Sequence, residues 1–398
     1  MFIPLSDAPN PGGRPYVTYG LIALNVLVYL LVSLPLSTTP ADPDDPALGA
    51  YIQVVREQLP PGVPLRAVLN DLSAYELYVF AHGYKPAAPQ VADLFYSLFL
   101  HGGFMHLFGN MLFLWIYGDN VEYRLGRLAY LFWYLATGVA ATLVFSVFAS
   151  GSSIPLVGAS GAISGVLGFY FLWFPRNTVR LFVFLFPFFM NVVAVPARIV
   201  LGIYLVLDNL LPFILNGSDG GGVAHGAHIG GFVAGLAVAW VLDHRPASAA
   251  RGVFAVQGAT VQEPVEGSPP GPALAEPDMA SVATAYFKLP ADQTSRALPA
   301  EDSLALGNWL AREGHMDAAH VVFRRHLRDY PAGPAAAAAH VGLGLIQLEH
   351  RHEVAPAYQH FLDALDLSPD ADTAARARAA LARIAALQKY NIGRRPEA

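Results

Sequence analysis

The chain is organised in blocks of apolar residues separated by short polar segments. Six of these blocks predict membrane-spanning helices, because about 20 apolar residues at 1.5 Å per residue cross a hydrocarbon core about 30 Å thick. The predicted spans are about 16–36, 104–118, 127–149, 159–174, 196–214 and 225–242. The second and fourth are short, which suits helices that neighbours shield from lipid. The pattern predicts an all-α, polytopic six-helix bundle over residues 1–245, with a long outside loop at 37–103.

One apolar run, Leu181–Val195, fits no span well. It contains Pro187 and Asn191 and precedes Pro196, so we interpret it as an interfacial or re-entrant connection. The first block is longer than a signal-peptide core, and only Arg14 lies ahead of it, so it predicts a retained span.

The positions of Lys and Arg predict the orientation. If the N-terminus is cytoplasmic, the cations lie at the cytoplasmic ends of the spans, as the positive-inside rule predicts. They are Arg124, Arg127, Arg176, Arg180, Arg245 and Arg251. The short loops 150–158 and 215–224 carry neither Lys nor Arg, and the three cations of the long loop weigh little in this rule. We expect both termini in the cytoplasm, with the protein in a bacterial cytoplasmic (inner) membrane.

Composition agrees with a membrane class and excludes others. Hydrophobic residues make up 54% of the chain and charged residues 14%, and the mean hydropathy is +0.41. The net charge is −6, and the chain lacks the clustered basic patch that is typical of a nucleic-acid binder. No cysteine is present, which removes disulfides, thiolate nucleophiles and Cys-ligated metals.

A second domain follows the spans. Residues 246–300 are rich in Pro, Ala and Gly and predict a flexible linker. Residues 301–390 predict a small soluble helical domain that resembles tetratricopeptide repeats. The pattern rests on Gly307, Ala319, Phe323 and Pro331, and partly recurs at Ala357, Phe361, Ala364 and Pro369. The prolines are 38 residues apart instead of 34, so an unrelated Ala-rich helical hairpin stays an alternative.

Polar residues enter the apolar spans at three places. Strongly polar side chains at membrane depth are costly, so each is a functional candidate. The places are His101-Gly-Gly-Phe-Met-His106-Leu-Phe-Gly-Asn110, Gly158-Ala-Ser160-Gly161 and Ala227-His228-Ile-Gly-Gly231-Phe-Val-Ala-Gly235. Spans two, four and six run from outside to inside, and each carries its polar residues in its first positions. The three places therefore lie at one depth, as a single water-accessible cavity requires.

Each place also has a plainer interpretation. His106 and Asn110 share a helix face and could donate to one oxyanion, or could join helices by hydrogen bonds. Ser160 lies at a helix N-terminus, where it could be a nucleophile or an N-cap.

Small residues could bring the fourth and sixth spans together. Gly231 and Gly235 form a stripe at four-residue spacing, and Gly161 and Gly165 form another. If these stripes meet, Ser160 comes within reach of the His228 imidazole, the arrangement of a nucleophile and its base.

Two further hypotheses concern neighbouring residues. His101, His106, His225 and His228 could bind zinc, although no carboxylate accompanies them. Asp208 in span five is better interpreted as a buried or interfacial partner than as the acid of a triad, so a Ser-His dyad is the simpler assignment.

Together these motifs resemble the rhomboid proteases, over about residues 10–245. The set is His-x4-His-x3-Asn, Gly-x3-Glu-x-Arg-x-Gly, Gly-Ala-Ser-Gly and Ala-His-x2-Gly-x3-Gly, in this order. The resemblance implies an intramembrane serine endopeptidase with Ser160 as nucleophile and His228 as general base and acid. It also implies an oxyanion hole of His106, Asn110 and the Ser160 backbone N–H, and no metal or cofactor.

The resemblance extends to structural positions and to partners. Glu122 and Arg124 match the family's polar cluster at the inner end of span two, although an ordinary surface salt bridge would also fit them. The glycines at 158, 161, 231 and 235 fit structural roles. The implied partners are single-span transmembrane substrates and the lipid bilayer, and a peptide or protein partner is expected for the cytoplasmic repeats.

Two features depart from the family pattern. Ser164 stands where some relatives carry an aromatic residue that stacks on the base, and the first loop lacks the Trp-Arg pair of some relatives. Two other functions stay open from the sequence: a rhomboid-like pseudoprotease that binds or escorts membrane segments, and a membrane anchor for a repeat-based adaptor.

Overall fold

The structure is a computed structural model that describes residues 2–11, 13–59, 62, 64–185, 189–216, 224–244, 279–289 and 298–393. The chain divides into two compact units, the first mainly Met1–Val241 and the second mainly Leu242–His352 with Ala357–Tyr390. Most of the predicted linker, and most of the predicted outside loop 215–224, lie outside the described residues.

Helices dominate the first unit. They are α1 (Tyr16–Ser37), α2 (Leu48–Gln58), α3 (Leu65–Asn70), α4 (Ala74–His82), α5 (Asp93–Phe99), α6 (Phe104–Leu125), α7 (Arg127–Phe148), α8 (Ser160–Trp173), α9 (Ala197–Leu215) and α10 (His225–His244). Each of the six predicted spans is helical, as α1 and α6–α10. By length and composition α1, α7, α9 and α10 suffice to cross a membrane, and α6 makes a fifth when counted with α5, from which it bends by 93°.

The shortest of the six, α8, has 14 residues and is surrounded by protein. Nearly every position from Gly161 to Tyr170 is buried, with Leu167 and Tyr170 fully inaccessible. A helix shielded in this way has no lipid-facing surface to match to the bilayer.

The outer surface of the first unit is apolar. Leu128, Val147 and Leu31 are 85, 75 and 72% exposed. In the described part of the second unit, by contrast, the large apolar side chains with marked exposure are Phe287 and Leu387, at 40 and 45%. A concentration of exposed large apolar side chains on one unit is typical of a membrane-embedded part. The first unit is thus a multi-pass membrane protein.

The prediction of an all-α fold is wrong for one region. Three antiparallel strands form a sheet in the order β1 (Phe2–Ala8), β2 (Thr178–Leu185) and β3 (Phe189–Pro196). The run predicted to be an interfacial or re-entrant connection is therefore largely a β-hairpin. Alternate residues of β2 are buried, namely Val179, Leu181 and Val183, and this period of two is typical of a half-buried strand.

Two buried carboxylates tie the N-terminal segment to the bundle. Asp7 on β1 accepts hydrogen bonds from the Tyr170 hydroxyl and from Asn120 Nδ2, the latter at 2.9 Å. Glu122 on α6 accepts from the backbone N–H groups of Val17 and Thr18 at 2.9 and 2.7 Å. Glu122 thereby caps the first turn of α1, where free N–H groups and the helix dipole favour an anion.

Residues 37–103, which the sequence predicts to be a long loop, contain α2–α5. This segment also forms hydrogen bonds with the loop that precedes α8. Tyr84 and Leu156 exchange backbone hydrogen bonds of 3.1 and 2.8 Å. Gly158 N–H donates to the Ser97 carbonyl at 2.8 Å. The segment that leads into α8 is therefore held on its outer side.

Helices α8 and α10 meet along their glycines. A Cβ atom at Gly231 would collide with the carbonyl of Gly161, and one at Gly235 with the carbonyl of Gly165. The two small-residue stripes thus lie face to face, at a separation that only glycine permits.

The second unit is helical in all its described elements. They are α11 (Met279–Lys288), α12 (Ala300–Arg312), α13 (Met316–Asp329), α14 (Pro334–Leu345), α15 (Val354–Asp366) and α16 (Ala371–Gly393). Phe323 on α13 is fully buried and contacts Gly307 and Gly342, and Phe361 on α15 packs against Gly344 in the same way. Helix α14 has 12 residues and continues through a five-residue π-helical turn, Ile346–His350.

Candidate active site

The polar residues of three helices converge on one cavity. Ser160 is the first residue of α8, His228 lies in the first turn of α10, and His106 and Asn110 lie in the first two turns of α6. All four line a cavity of about 680 Å³. The structure thus brings together the residues that the sequence analysis placed at a common depth.

Ser160 and His228 are in direct contact. The Ser160 Oγ lies 2.7 Å from the His228 Nε2. The glycine contacts between α8 and α10 allow this distance, because any bulkier pair of residues would separate the two backbones. The pair has the geometry of a hydroxyl nucleophile and its general base.

The other ring nitrogen of His228 meets a residue that the sequence analysis did not single out. His228 Nδ1 lies 2.7 Å from Asn209 Oδ1, and Asn209 Nδ2 donates to the Tyr204 carbonyl at 2.8 Å. The carbonyl acceptor assigns the amide nitrogen, so the amide oxygen must face the ring. His228 Nδ1 then carries the proton, and Nε2 keeps the lone pair that accepts from Ser160.

Asn209 occupies a five-residue π-helical turn of α9, Val206–Leu210. Within this turn Asn209 is 1% exposed, whereas the neighbouring Asp208 is exposed. Asp208 is therefore not buried, and of the two positions predicted for it the interfacial one remains. Isolated π turns are frequent at functional sites. The signal in the sequence that could have identified Asn209 is an asparagine within an apolar span.

The ring of Tyr204 lies near the base. Its centroid is 6.4 Å from that of His228, and its hydroxyl is 2.7 Å from the Ser164 Oγ. The aromatic neighbour of His228 thus comes from α9, and Ser164 of α8 holds its hydroxyl.

Hydrogen-bond donors of α6 and of the start of α8 also line the cavity. The Gly102 N–H donates to His106 Nδ1 at 3.3 Å, which leaves His106 Nε2 as the protonated nitrogen. Asn110 Nδ2 is buried and meets no acceptor within the described part of the chain. As the first residue of α8, Ser160 presents a backbone N–H without a partner inside the helix. These three groups could donate to one oxyanion.

Gly158 makes room for His106. Its φ of +124° is a conformation that side chains disfavour, and a Cβ there would lie 2.8 Å from His106 Cε1. Gly158 therefore lets the imidazole approach the backbone beside Ser160.

Glu122 and Arg124 lie away from the cavity, in the last turn of α6. Glu122 is 3% exposed and caps α1, so it does not form a surface salt bridge. The Arg124 guanidinium lies over the Trp173 ring at 4.2 Å, at the C-terminal end of α8. Both side chains therefore join helices.

The zinc hypothesis for the membrane histidines finds no support in the geometry. His225 and His228 have ring centroids 6.5 Å apart. Among the described residues, the one group of three His, Asp or Glu side chains with ligand atoms in mutual reach lies in the second unit.

Residues 88–245 match the family model described as Rhomboid domain. Rhomboid protein 1, mitochondrial, of Saccharomyces cerevisiae is 36% identical over 95 residues, which is 23% of this chain and 28% of that protein. RHOMBOID-like protein 5 of Arabidopsis thaliana is 31% identical over 150 residues, 37% of this chain and 43% of that protein. Rhomboid protease GluP of Bacillus subtilis is 30% identical over 156 residues, 39% of this chain and 24% of that protein.

The chain thus spans less than half the length of each of these relatives. One of the names places its protein in mitochondria, so the similarity does not favour the predicted bacterial membrane over other membranes. The C-terminal helices lie beyond the matched domain. At the level of the family, the domain match and the relatives support a rhomboid-type membrane protein related to proteases.

Proposed function

We propose that the protein is an intramembrane serine endopeptidase that cuts single-span membrane proteins through a Ser160-His228 dyad. The observation that carries the proposal is the 2.7 Å contact between Ser160 Oγ and His228 Nε2, at the edge of a cavity that His106 and Asn110 also line. A protein that only binds membrane segments needs neither the dyad nor the donors.

In the proposed reaction, His228 Nε2 takes the proton of Ser160 as the Oγ attacks the carbonyl carbon of the scissile bond. The negative oxygen of the tetrahedral intermediate is held by His106 Nε2–H, Asn110 Nδ2–H and the Ser160 backbone N–H. The intermediate collapses, and the amine leaves with the proton from His228. Water, activated by His228, then hydrolyses the acyl-enzyme.

Asn209 acts on this reaction through His228. Its amide oxygen accepts a hydrogen bond from Nδ1–H, which keeps the proton on Nδ1 and leaves Nε2 free to act as a base. Asn209 is therefore proposed as a positioning residue. The proposed site is a Ser-His dyad in which the Asn209 amide orients the histidine ring.

The topology proposed for the membrane part has six spans, with both termini on one side. Two of the six need protein neighbours to cross: α6 continues from the bent α5, and α8 is enclosed on all sides. Substrate segments would enter from the bilayer and unwind into the cavity.

For the second unit we propose two degenerate tetratricopeptide-like hairpins that bind a peptide or protein partner. The buried Phe323 and Phe361 at equivalent places support this, as does the length of the second hairpin. Its first helix, Pro334–Leu345 with the turn Ile346–His350, is four residues longer than the 13-residue α12. This accounts for a proline spacing of 38 instead of 34.

The proposal is tested by co-expression with a single-span reporter whose membrane segment contains Gly or Pro. We expect a new fragment with wild type and none with Ser160→Ala or His228→Ala, at equal amounts of membrane-inserted protein. A serine-directed fluorophosphonate should label wild type and not Ser160→Ala. Cleavage or labelling that persists in Ser160→Ala would refute the assignment, and binding of the reporter without a fragment would favour the pseudoprotease.

The oxyanion donors are tested separately. Asn110→Ala should reduce the cleavage rate by about 10² without changing expression, the typical effect of one lost donor. Rates unchanged in both Asn110→Ala and His106→Ala would remove the oxyanion hole from the proposal.

A further inference from the structure

Two histidines and an aspartate meet between α14 and α15 in the second unit, outside anything the proposed protease uses. His340 lies on α14, and His360 and Asp363 lie on α15, three residues apart and so on one face of that helix. His340 Nδ1 is 2.9 Å from His360 Nδ1 and 4.0 Å from Asp363 Oδ2. All three ligand atoms lie within 4.8 Å of one another.

We propose that His340, His360 and Asp363 form a site for a divalent transition metal, zinc in the first instance. Two imidazole nitrogens and one carboxylate oxygen are a ligand set that suits zinc, whereas magnesium and calcium prefer oxygen alone. Three protein ligands leave a fourth position for water. This proposal departs from the expectation, made from the sequence, that the protein holds no metal.

The distances are close to those that the metal needs. Ligand atoms about 2.0–2.2 Å from a tetrahedral zinc lie about 3.3–3.6 Å apart. The two nitrogens would therefore move apart by roughly half an ångström, and the carboxylate would move towards His340 by a similar amount and towards His360 by up to about 1.5 Å. Side-chain rotation supplies this, because the Asp363 side chain is 37% exposed and the His340 side chain 16% exposed.

Without metal, the two Nδ1 atoms share one hydrogen bond, in which one ring donates and the other accepts. A cation between them requires lone pairs on both, so the donating ring must move its proton to Nε2. Acid would compete with the metal, because an imidazolium has no free lone pair. A bound zinc would join α14 to α15 and stabilise the second unit by mass action.

The test uses the full chain in detergent, free of any histidine tag and stripped with a chelator. Zinc binding is measured by equilibrium dialysis at about 10 μM free metal, and cobalt(II) is substituted to read the visible absorption of a tetrahedral site. The variants are His340→Gln, His360→Gln and Asp363→Asn. The matched control is His350→Gln, because His350 is an exposed histidine of the same unit.

We expect one zinc per wild-type chain, a higher melting temperature with zinc, and a tetrahedral cobalt spectrum. Each histidine variant should lose more than about tenfold in affinity, since even residues that only support a ligand carry 10–100-fold. The control should bind as wild type does, and circular dichroism should show all variants folded. If one histidine variant unfolds, zinc binding is compared in the other histidine variant and in Asp363→Asn. The proposal is overturned if wild type binds no zinc, or if the folded histidine variants bind it as tightly as the control.

Discussion

Asn209 explains how His228, the proposed base, can be held in the productive form without a triad acid. In the structure its amide bridges the Tyr204 carbonyl and the His228 ring, which ties the protonation of the ring to a backbone atom of α9. An amide does this without placing a charge at membrane depth, where a carboxylate would be costly.

Replacing Asn209 by Leu should lower kcat of reporter cleavage by roughly tenfold to hundredfold, less than the 10²–10⁴-fold that a general base contributes. KM should change little, because Asn209 reaches the substrate only through His228. The measurement is steady-state cleavage in detergent, with Asp208→Ala as the neighbouring control.

Asn209→Asp keeps an acceptor oxygen and should recover part of the activity lost in Asn209→Leu. A purely structural role would affect Asn209→Asp and Asn209→Leu alike, and would also lower thermal stability in parallel with kcat. That pattern would argue against positioning.

Asp7 predicts a pH dependence of stability. Burial raises the pKa of its carboxyl to about 7, against hydrogen bonds from Tyr170 and Asn120 that lower it. A raised pKa means that the folded state holds its proton more tightly, so the contribution of Asp7 to stability is fully present below about pH 4 and is lost as the pH rises towards 7.

The variant Asp7→Asn should weaken this decline between about pH 4 and pH 7. Thermal unfolding in detergent across that range is the measurement, with Asp44→Asn, at an exposed position, as control. A wild-type curve that rises over the same window, or an Asp7→Asn curve with the same slope as wild type, would contradict the assignment.

At this scale the sequence predicts the polar residues that open helices, because Ser160, His228, His106 and Asn110 interrupt apolar segments at matching positions. Asn209 is harder to predict, since its orientation depends on a π turn. A π turn rotates the following residues away from the face that a period of 3.6 assigns to them.

The contact between α8 and α10 is the element-scale feature on which the site depends. Gly231 lies against the Gly161 carbonyl, one residue from Ser160, the proposed nucleophile. Any widening of this contact moves His228 away from Ser160.

Gly231→Ala should therefore abolish reporter cleavage and lower stability by about 1–3 kcal/mol, the usual cost of overpacking. Gly20→Ala on α1 is the control, because a Cβ there meets nothing within 4 Å. Replacing a helical glycine at an open position should preserve activity and raise stability by about 0.5–1 kcal/mol. Full activity in Gly231→Ala would mean that the helices can separate without disturbing the dyad.

Helix positions follow from apolar length, and the predicted spans agree with α1 and α6–α10 within a few residues at most ends. The end of α6 is the main exception, because it continues to Leu125 instead of about residue 118. The polar residues Asp119, Asn120 and Glu122 suggested an end, but two of these side chains pair with groups of the N-terminal segment. A local sequence pattern does not reveal long-range partners of this kind.

The hairpin β2–β3 was missed for a related reason. Its run of Val, Phe and Leu is as apolar as a helix, and short apolar runs do not separate strand from helix by periodicity. β1 lies more than 160 residues earlier in the chain, so the sequence gives no local sign of its pairing with β2.

At the scale of the whole molecule, the proposed catalytic residues all lie in the first unit. A chain ending after His244 should insert in membranes and cleave the reporter at a rate comparable to that of the full chain. The measurement is cleavage by the truncated chain in membranes, normalised to inserted protein. Loss of cleavage with normal insertion would instead assign the second unit a part in activity.

The enclosed helix α8 has a consequence for how the protein responds to its lipid. Hydrophobic mismatch acts on the surfaces that touch acyl chains. Here these are the exposed faces of α1, α7 and α9, and not the 14-residue helix α8, which protein surrounds. At 1.5 Å per residue α8 is about 21 Å long, some 9 Å shorter than a typical hydrocarbon core. In the proposed topology, Ser160 therefore keeps its distance of about 21 Å from the C-terminal end of α8 when the bilayer thickens, and the proposed protease would cut its substrate at a fixed distance from the level of that end.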